Sequence, residues 1–174
     1  MGKITFILGG ARSGKSRYAL ELAKEKGKGV AFIATCQALD GEMAKRIELH
    51  KKTRPSDWQT IEEPKDLAPI LKRIDAKFGL VIIDCLTLLI SNLVSEKFED
   101  EAIESKIEEM LKTIKSAAFE AIVVSNEVGL GIVPQNSLAR RFRDLAGRVN
   151  QIVAAEANEV LFMVSGMPLK IKGE

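Results

Sequence analysis

Residues 9–16 read Gly9-Gly10-Ala11-Arg12-Ser13-Gly14-Lys15-Ser16, a complete G-x-x-x-x-G-K-S pattern. It stands directly after the apolar run Ile4-Thr5-Phe6-Ile7-Leu8 and directly before a helical pattern, the setting that gives it a physical meaning. Glycines let the backbone curl so that successive N–H groups point inward at phosphate oxygens, and the following helix adds the positive end of its dipole. Lys15 is then expected to reach the β- and γ-phosphates as a point charge, and the Ser16 hydroxyl to ligate Mg²⁺. A tight turn that happens to contain lysine and serine is the plainer reading, but it leaves the strand before and the helix after without a reason. The segment predicts a nucleotide-binding strand–loop–helix unit.

The rest of the chain repeats that alternation. Short β-branched or aliphatic runs predict strands at 3–8, 30–34, 80–84, 120–125 and 159–164, with an extended piece around Trp58 to Ile61. Helical patterns fall at about 15–26, 40–52, 66–76, 86–94, 99–117 and 136–157. Runs such as Leu80-Val81-Ile82-Ile83 are apolar on both faces, as parallel strands covered on two sides must be. The expectation is an α/β fold, a mostly parallel sheet with helices on both faces. At 174 residues, with no visible linker or repeat, residues 1–174 are expected to form one domain.

Composition removes several classes of partner. With 26 basic residues against 24 acidic ones the net charge is +2, which gives no reason to expect nucleic acid. The apolar run at the start is too short for a signal peptide core or a membrane span. Cys36 and Cys85 lie outside any CxxC or Cys/His cluster and read as small buried hydrophobes in a reduced, cytoplasmic setting.

Four groups carry candidate chemistry. Asp84 closes the strand Leu80-Val81-Ile82-Ile83, where a phosphate-loop enzyme keeps the acid that holds Mg²⁺ directly or through water. His50 is the single histidine. It shares a helical stripe with Met43 and Ile47, which reads as core, yet Lys51, Lys52 and Arg54 follow at once. Those cations disfavour its protonation, which would leave a neutral nucleophile beside a polyphosphate-attracting cluster, so both readings stand. Ser125-Asn126-Glu127-Val128-Gly129-Leu130-Gly131-Ile132-Val133-Pro134 reads equally as a loop at the ligand edge of the sheet and as a flexible connection. Arg140, Arg141 and Arg143 are either a phosphate clamp or a solvated helix face. No Asn-Lys-x-Asp follows the fourth strand, and Asp84-Cys85-Leu86-Thr87 lacks the glycine of a D-x-x-G switch, which argues against a regulatory GTPase.

Further segments repeat a family pattern in order along nearly the whole chain: Ile33-Ala34-Thr35, Asp40-x-Glu42-Met43-x-x-Arg46-Ile47-x-x-His50, Arg54-Pro55-x-x-Trp58-x-Thr60-x-Glu62, Asn126-Glu127-Val128-Gly129-x-Gly131-Ile132-Val133-Pro134, Arg143-Asp144-x-x-Gly147-x-x-Asn150-Gln151 and Val164-Ser165-Gly166. With the phosphate loop, they closely resemble the bifunctional adenosylcobinamide kinase / adenosylcobinamide-phosphate guanylyltransferase family of cobalamin synthesis. The resemblance implies a RecA-like phosphate-loop fold and a homotrimer. It also implies two reactions: phosphorylation of adenosylcobinamide by ATP or GTP, then transfer of GMP from GTP to adenosylcobinamide-phosphate, releasing pyrophosphate.

In that family the guanylyl group passes through a covalent histidine, which corresponds to His50. The family's nucleotide contacts correspond to Gly9, Gly10, Ala11, Arg12, Ser13, Gly14, Lys15 and Ser16, to Ala34, Thr35 and Cys36, to Lys51, Lys52, Thr53 and Arg54, and to Glu62 and Asp84. The chemistry of these residues agrees with the assignment. An imidazole attacking the α-phosphorus splits one transfer into two easier steps, while Lys15, the loop and Mg²⁺ carry the charge of the leaving pyrophosphate. Glu62 is expected either to accept the guanine N1–H and N2–H or to contact ribose. Gly129, Gly131 and the helix after them are candidates for the cobinamide side by position. A plain small-molecule phosphate-loop kinase, with His50 merely packing, is the alternative reading.

Overall fold

The aliphatic runs assemble into one seven-stranded sheet: β1 (Ile4–Gly9), β2 (Val30–Ala34), β3 (Gln59–Glu62), β4 (Leu80–Asp84), β5 (Glu120–Val124), β6 (Glu159–Val164) and β7 (Met167–Lys172), in the order β3-β2-β4-β5-β1-β6-β7. The computed structural model describes residues 2–27, 29–37, 41, 45, 48, 51, 54–74 and 77–173. All pairings are parallel except β6 with β7.

Side chains alternate between the two faces with the period of 2 that a strand imposes. Ile4 and Phe6, Ala31 and Ile33, Val81 and Ile83, and Ala121 and Val123 point into one core. Ile7, Val30 and Phe32, Leu80 and Ile82, and Ile122 and Val124 point into the other. The four central strands are apolar on both faces because both faces are covered. Truncating Ile82 or Ile122, each fully buried, to alanine would cost about 2–5 kcal/mol.

The covering is unequal. Helix α1 (Lys15–Lys26) supplies Ala19 and Ala23 to the second core and packs against β1, β4 and β5. The first core takes residues from α2 (Leu67–Lys72), α3 (Leu86–Ser95), α4 (Asp100–Ser116) and α5 (Ser137–Glu156). Helix α1 leaves the phosphate loop through left-handed Gly14 and stops at left-handed Gly27, whose N–H donates to Lys24 O. Helix α5 is capped by Asn136, whose side chain accepts the Ala139 N–H.

Five predicted strands and the extended piece near Trp58 are all present. Helix α2 stops at Lys72, where the Arg73 N–H turns back to Ile70 O and the Ile74 N–H to Leu71 O. Of the helix expected over 40–52, Gly41, Lys45, Glu48 and Lys51 are described, and all four are helical and exposed. Strand β7 is an addition to the sequence reading. Ser165 and Gly166, both at positive φ, make a tight turn that folds it back on β6. Its Pro168, Lys170 and Lys172 suit an outer strand that must not recruit further strands.

Candidate active site

The phosphate loop begins where the β1 ladder ends, and its shape depends on two glycines. Gly9 has φ of +153°, and a Cβ there would stand 2.7 Å from both the Met163 carbonyl and Ser13 Oγ. Gly14 has φ of +96°, with Gly166 Cα 3.2 Å from where its Cβ would be. Two neighbouring segments brace the loop. The Glu127 N–H donates to Gly9 O at 2.9 Å, and the Gly166 N–H donates to Ser13 O at 2.9 Å. Lys15 lies inside it, 6% exposed, donating to Gly10 O at 2.6 Å and to Ser13 Oγ at 3.4 Å. Burial lowers its pKa from the ordinary lysine value, and the Asp84 carboxylate works against that shift. Ser16 is the second residue of α1 and half-buried.

Asp84 ends β4 in register with Ala34 of β2 and Val124 of β5. Because β5 lies between β4 and β1, the acid and the phosphate loop leave the same edge of the sheet one strand apart. That edge, at the carboxyl ends of parallel strands, is where open α/β sheets bind ligands. The next residue, Cys85, is buried, and burial first, then Asp84, pushes its thiol up to about 12. It therefore stays protonated and packs as a small hydrophobe. Thr35, fully buried after β2, spends its hydroxyl on Cys85, donating to the carbonyl at 2.7 Å and accepting the N–H at 2.9 Å.

The β2–β3 side brings cations to the same edge. Arg54 stacks on Phe32, 3.7 Å from the ring centroid, and donates to Thr60 Oγ1 at 3.1 Å. Burial lowers its pKa, opposed by Asp84 and Glu62, so its charge lies within reach of both carboxylates. Lys51 pairs with Glu62, joining the described end of the helical segment to β3. Ala34 is the last residue of β2, and Cys36, half-buried, points its thiol at Gln37 O at 3.7 Å. His50, Lys52 and Thr53 lie outside the described residues.

Among the described residues no group of three or more His, Cys, Asp or Glu could hold a metal by itself. One carboxylate at Asp84 and one hydroxyl at Ser16 is nonetheless a donor set that suits Mg²⁺. That ion keeps several waters and is usually bound through one or two carboxylates plus substrate phosphates.

The arginine trio divides. Arg141 donates to Asp100 Oδ1 and Phe98 O, and Arg140 to the carbonyls of Pro134 and Gln135. Both are occupied in holding α5 and its entry loop, and Arg143 pairs with Asp144 at 3.5 Å. The run after β5 reaches the ligand edge through the Glu127–Gly9 bond, and then turns apolar and exposed at Leu130, Ile132, Val133 and Leu138.

Several contacts that matter here follow from no motif spacing. Thr87 Oγ1 accepts the Asn126 N–H at 2.6 Å and meets buried Ser125 Oγ at 3.2 Å. Asn150 donates to Asn126 O at 3.1 Å, and its own Oδ1 is buried without a partner among the described residues. The Ser165-Gly166 turn does have a sequence signal, a Ser-Gly pair between two apolar runs.

Residues 5–171 match the family model described as cobinamide kinase / cobinamide phosphate guanyltransferase. The bifunctional adenosylcobalamin biosynthesis protein CobP of Pseudomonas aeruginosa is 46% identical over 169 residues, covering 97% of this chain and 96% of that protein. CobU of Escherichia coli, of the same description, is 42% identical over 178 residues, covering 95% and 98%. Among solved structures, the RadB recombinase aligns with a TM-score of 0.56 at 18% identity, covering 92% of this chain and 74% of that one. A KaiC-like protein of Pyrococcus horikoshii aligns at 0.54 and 13%, covering 92% and 70%. At such identities the likeness is one of fold, and it makes the sheet a RecA-like phosphate-loop sheet.

Proposed function

Because the chain belongs to the cobinamide kinase / cobinamide phosphate guanyltransferase family and is an enzyme with both activities, we propose that one nucleotide site at the carboxyl edge of its sheet serves both reactions. The observation that supports a shared site is convergence: phosphate loop, Asp84 and Arg54 all meet at one edge. Its nucleotide contacts are Gly9 to Ser16, Ala34 and Cys36, Lys51 to Arg54, Glu62 and Asp84, all within a single domain spanning residues 1–174, while Thr35, whose hydroxyl is spent on the Cys85 backbone, stands behind Asp84.

In the kinase step the cobinamide hydroxyl attacks the γ-phosphorus of ATP or GTP. The bond to the bridging oxygen breaks, the nucleoside diphosphate leaves, and the hydroxyl proton goes to solvent. In the transfer step the neutral imidazole of His50 attacks the α-phosphorus of GTP, and pyrophosphate leaves. An oxygen of cobinamide-phosphate then attacks that phosphorus and the P–N bond breaks, giving cobinamide-GDP and restoring His50. Lys15 and the loop N–H groups grip the β- and γ-phosphates in both steps, as transferred group in one and leaving group in the other. Arg54 holds the α-phosphoryl oxygens, and Glu62 takes the guanine edge or the ribose. Mg²⁺ at Ser16 and Asp84 would neutralise charge on the phosphates.

The apolar rim at Leu130 and Ile132, 82% and 96% exposed, is our proposed seat for the corrinoid, since it begins next to the loop that grips the transferable phosphate. Among the described residues no helix is long and apolar enough to cross a membrane. A cytoplasmic homotrimer completes the proposal; the exposed Met167, Leu169 and Ile171 of β7 offer a surface for subunit contact.

Assaying both activities in two variants tests the division of labour. Lys15→Ala is expected to lose both, and His50→Ala to lose guanylyl transfer while keeping cobinamide phosphorylation. Equal loss of the two in a folded His50→Ala protein would refute it.

A further inference from the structure

Beyond Asp84 the β4 ladder ends, yet its flanking peptides remain fully bonded, and side-chain hydroxyls supply the bonds. The Thr35 N–H donates to Asp84 O at 3.2 Å, and the Thr35 hydroxyl both donates to and accepts from the backbone of Cys85. Asn92 of α3 fixes Thr35 from behind, its amide donating to Thr35 O at 2.8 Å and to Pro64 O at 3.0 Å. On the other flank Thr87 takes the Asn126 N–H and meets Ser125 Oγ. Ser125 in turn donates its N–H to Ile7 O at 3.0 Å, and Glu127 reaches Gly9 O. Thr35, Thr87 and Ser125 are all 5% exposed or less.

We propose that the buried hydroxyls of Thr35 and Thr87 are a bracket that sets Asp84 against the phosphate loop, making these two threonines positioning residues for the Mg²⁺-nucleotide. A series of hydrogen bonds, joined by the peptide segments Cys85–Thr87 and Asn126–Glu127, runs from Asn92 and Thr35 through Cys85 and Thr87 to Asn126, Glu127 and Gly9. It ties the strand end that carries the acid to the strand end that carries the loop, across the intervening β5. The Thr35 hydroxyl has one donated and one accepted bond, both to protein backbone, so it acts through Asp84 and does not itself bind nucleotide. Partners behind a ligating carboxylate orient it, and their loss is felt as a loss of metal affinity. This inference rests on the proposed Mg²⁺ role of Asp84 and is independent of His50.

The test is binding of a fluorescent GTP analogue with Mg²⁺ and with EDTA, to the parent, Thr35→Val and Thr35→Ser. Thr35→Val keeps the shape and removes the hydroxyl. It is expected to bind as the parent does in EDTA but to lose about tenfold of the strengthening that Mg²⁺ gives, with Thr35→Ser restoring it. An undiminished Mg²⁺ effect in folded Thr35→Val would overturn the bracket, as would weakened binding already present in EDTA, which would make Thr35 a direct nucleotide contact. Thr87→Val, expected to behave alike, carries the test if Thr35→Val does not fold. A parent that shows no Mg²⁺ strengthening would remove the role of Asp84 itself. Because the readout is binding, it stays distinct from any failure of the guanylyl-transfer reading.

Discussion

The loop after β1 and the loop after β5 leave the same sheet edge and touch through the Glu127–Gly9 bond, but they are built in opposite ways. The first is braced from both sides, fixed by Gly9, which leaves no room for a Cβ, and by Gly14, whose positive φ a side chain would strain, and it stores its cation inside itself. The second is held at its start by Thr87 and Asn150 on Asn126 and at its end by Arg140 on the Pro134 and Gln135 carbonyls, and between them, past a bond from Gly129 N–H to Glu127 Oε1 at 2.6 Å, it presents bare aliphatic side chains to solvent. A rigid cradle of N–H groups suits a small, highly charged ligand whose shape never varies. An exposed apolar rim suits a large amphipathic one that brings its own covering surface. Under the proposed function, two substrates of unlike chemistry would meet where two unlike loops meet.

The sharpest way to break this comparison is Lys15→Ala, expected to lower both activities at least about a hundredfold because both need the polyphosphate gripped. Loss confined to one activity would mean that the reactions use separate nucleotide sites. Next in size is the pair Leu130→Ser and Ile132→Ser, expected together to raise KM for cobinamide about tenfold, from lost apolar burial, with KM for GTP unchanged. A matching rise in KM for GTP would show that the two loops do not divide their ligands.

Gly166→Ala probes the brace. Its φ of +86° strains any Cβ, and a cost of about 1 kcal/mol in stability, with weaker GTP binding and unaltered cobinamide binding, is expected from urea unfolding and titration. The lowered Lys15 pKa adds a pH test. Bound phosphate favours the charged ammonium, so GTP affinity is expected to fall on the alkaline side before an ordinary lysine would titrate.

The smallest expected effect is that of Asp100→Asn, in the first turn of α4. Burial works to raise the Asp100 pKa, but the bonds from Arg141 and Arg148 win and hold it below the ordinary carboxylate value. Its contribution is therefore present above that ordinary value and lost as pH falls through the lowered one. The variant is expected to lose about 1 kcal/mol or less near neutral pH, with the difference closing in acid and both activities retained.

Much of the molecule was legible because its signals are local. Gly9 to Ser16 declares itself by spacing, and Leu80 to Asp84 by an apolar run that ends in an acid. Strand β7 was missed because Pro168 and two lysines dilute its pattern, and only the Ser165-Gly166 turn marks it. The bonds of Thr35, Thr87, Asn92 and Asn150 were illegible, even where the family pattern contains the residue, since each runs to backbone 24 to 57 residues away and no spacing rule links them. The arginines of 140–143 look like a clamp in one dimension, but two of them are spent on helix and loop contacts in three.

The claim that one grip serves chemistry at two phosphorus atoms is tested most directly by the mass of the intact protein after incubation with GTP and Mg²⁺. The parent is expected to gain one GMP, mapping to His50 by peptide fragmentation, while Lys15→Ala and His50→Ala gain none. An adduct on another residue, or no adduct in a parent that still makes cobinamide-GDP, would contradict it.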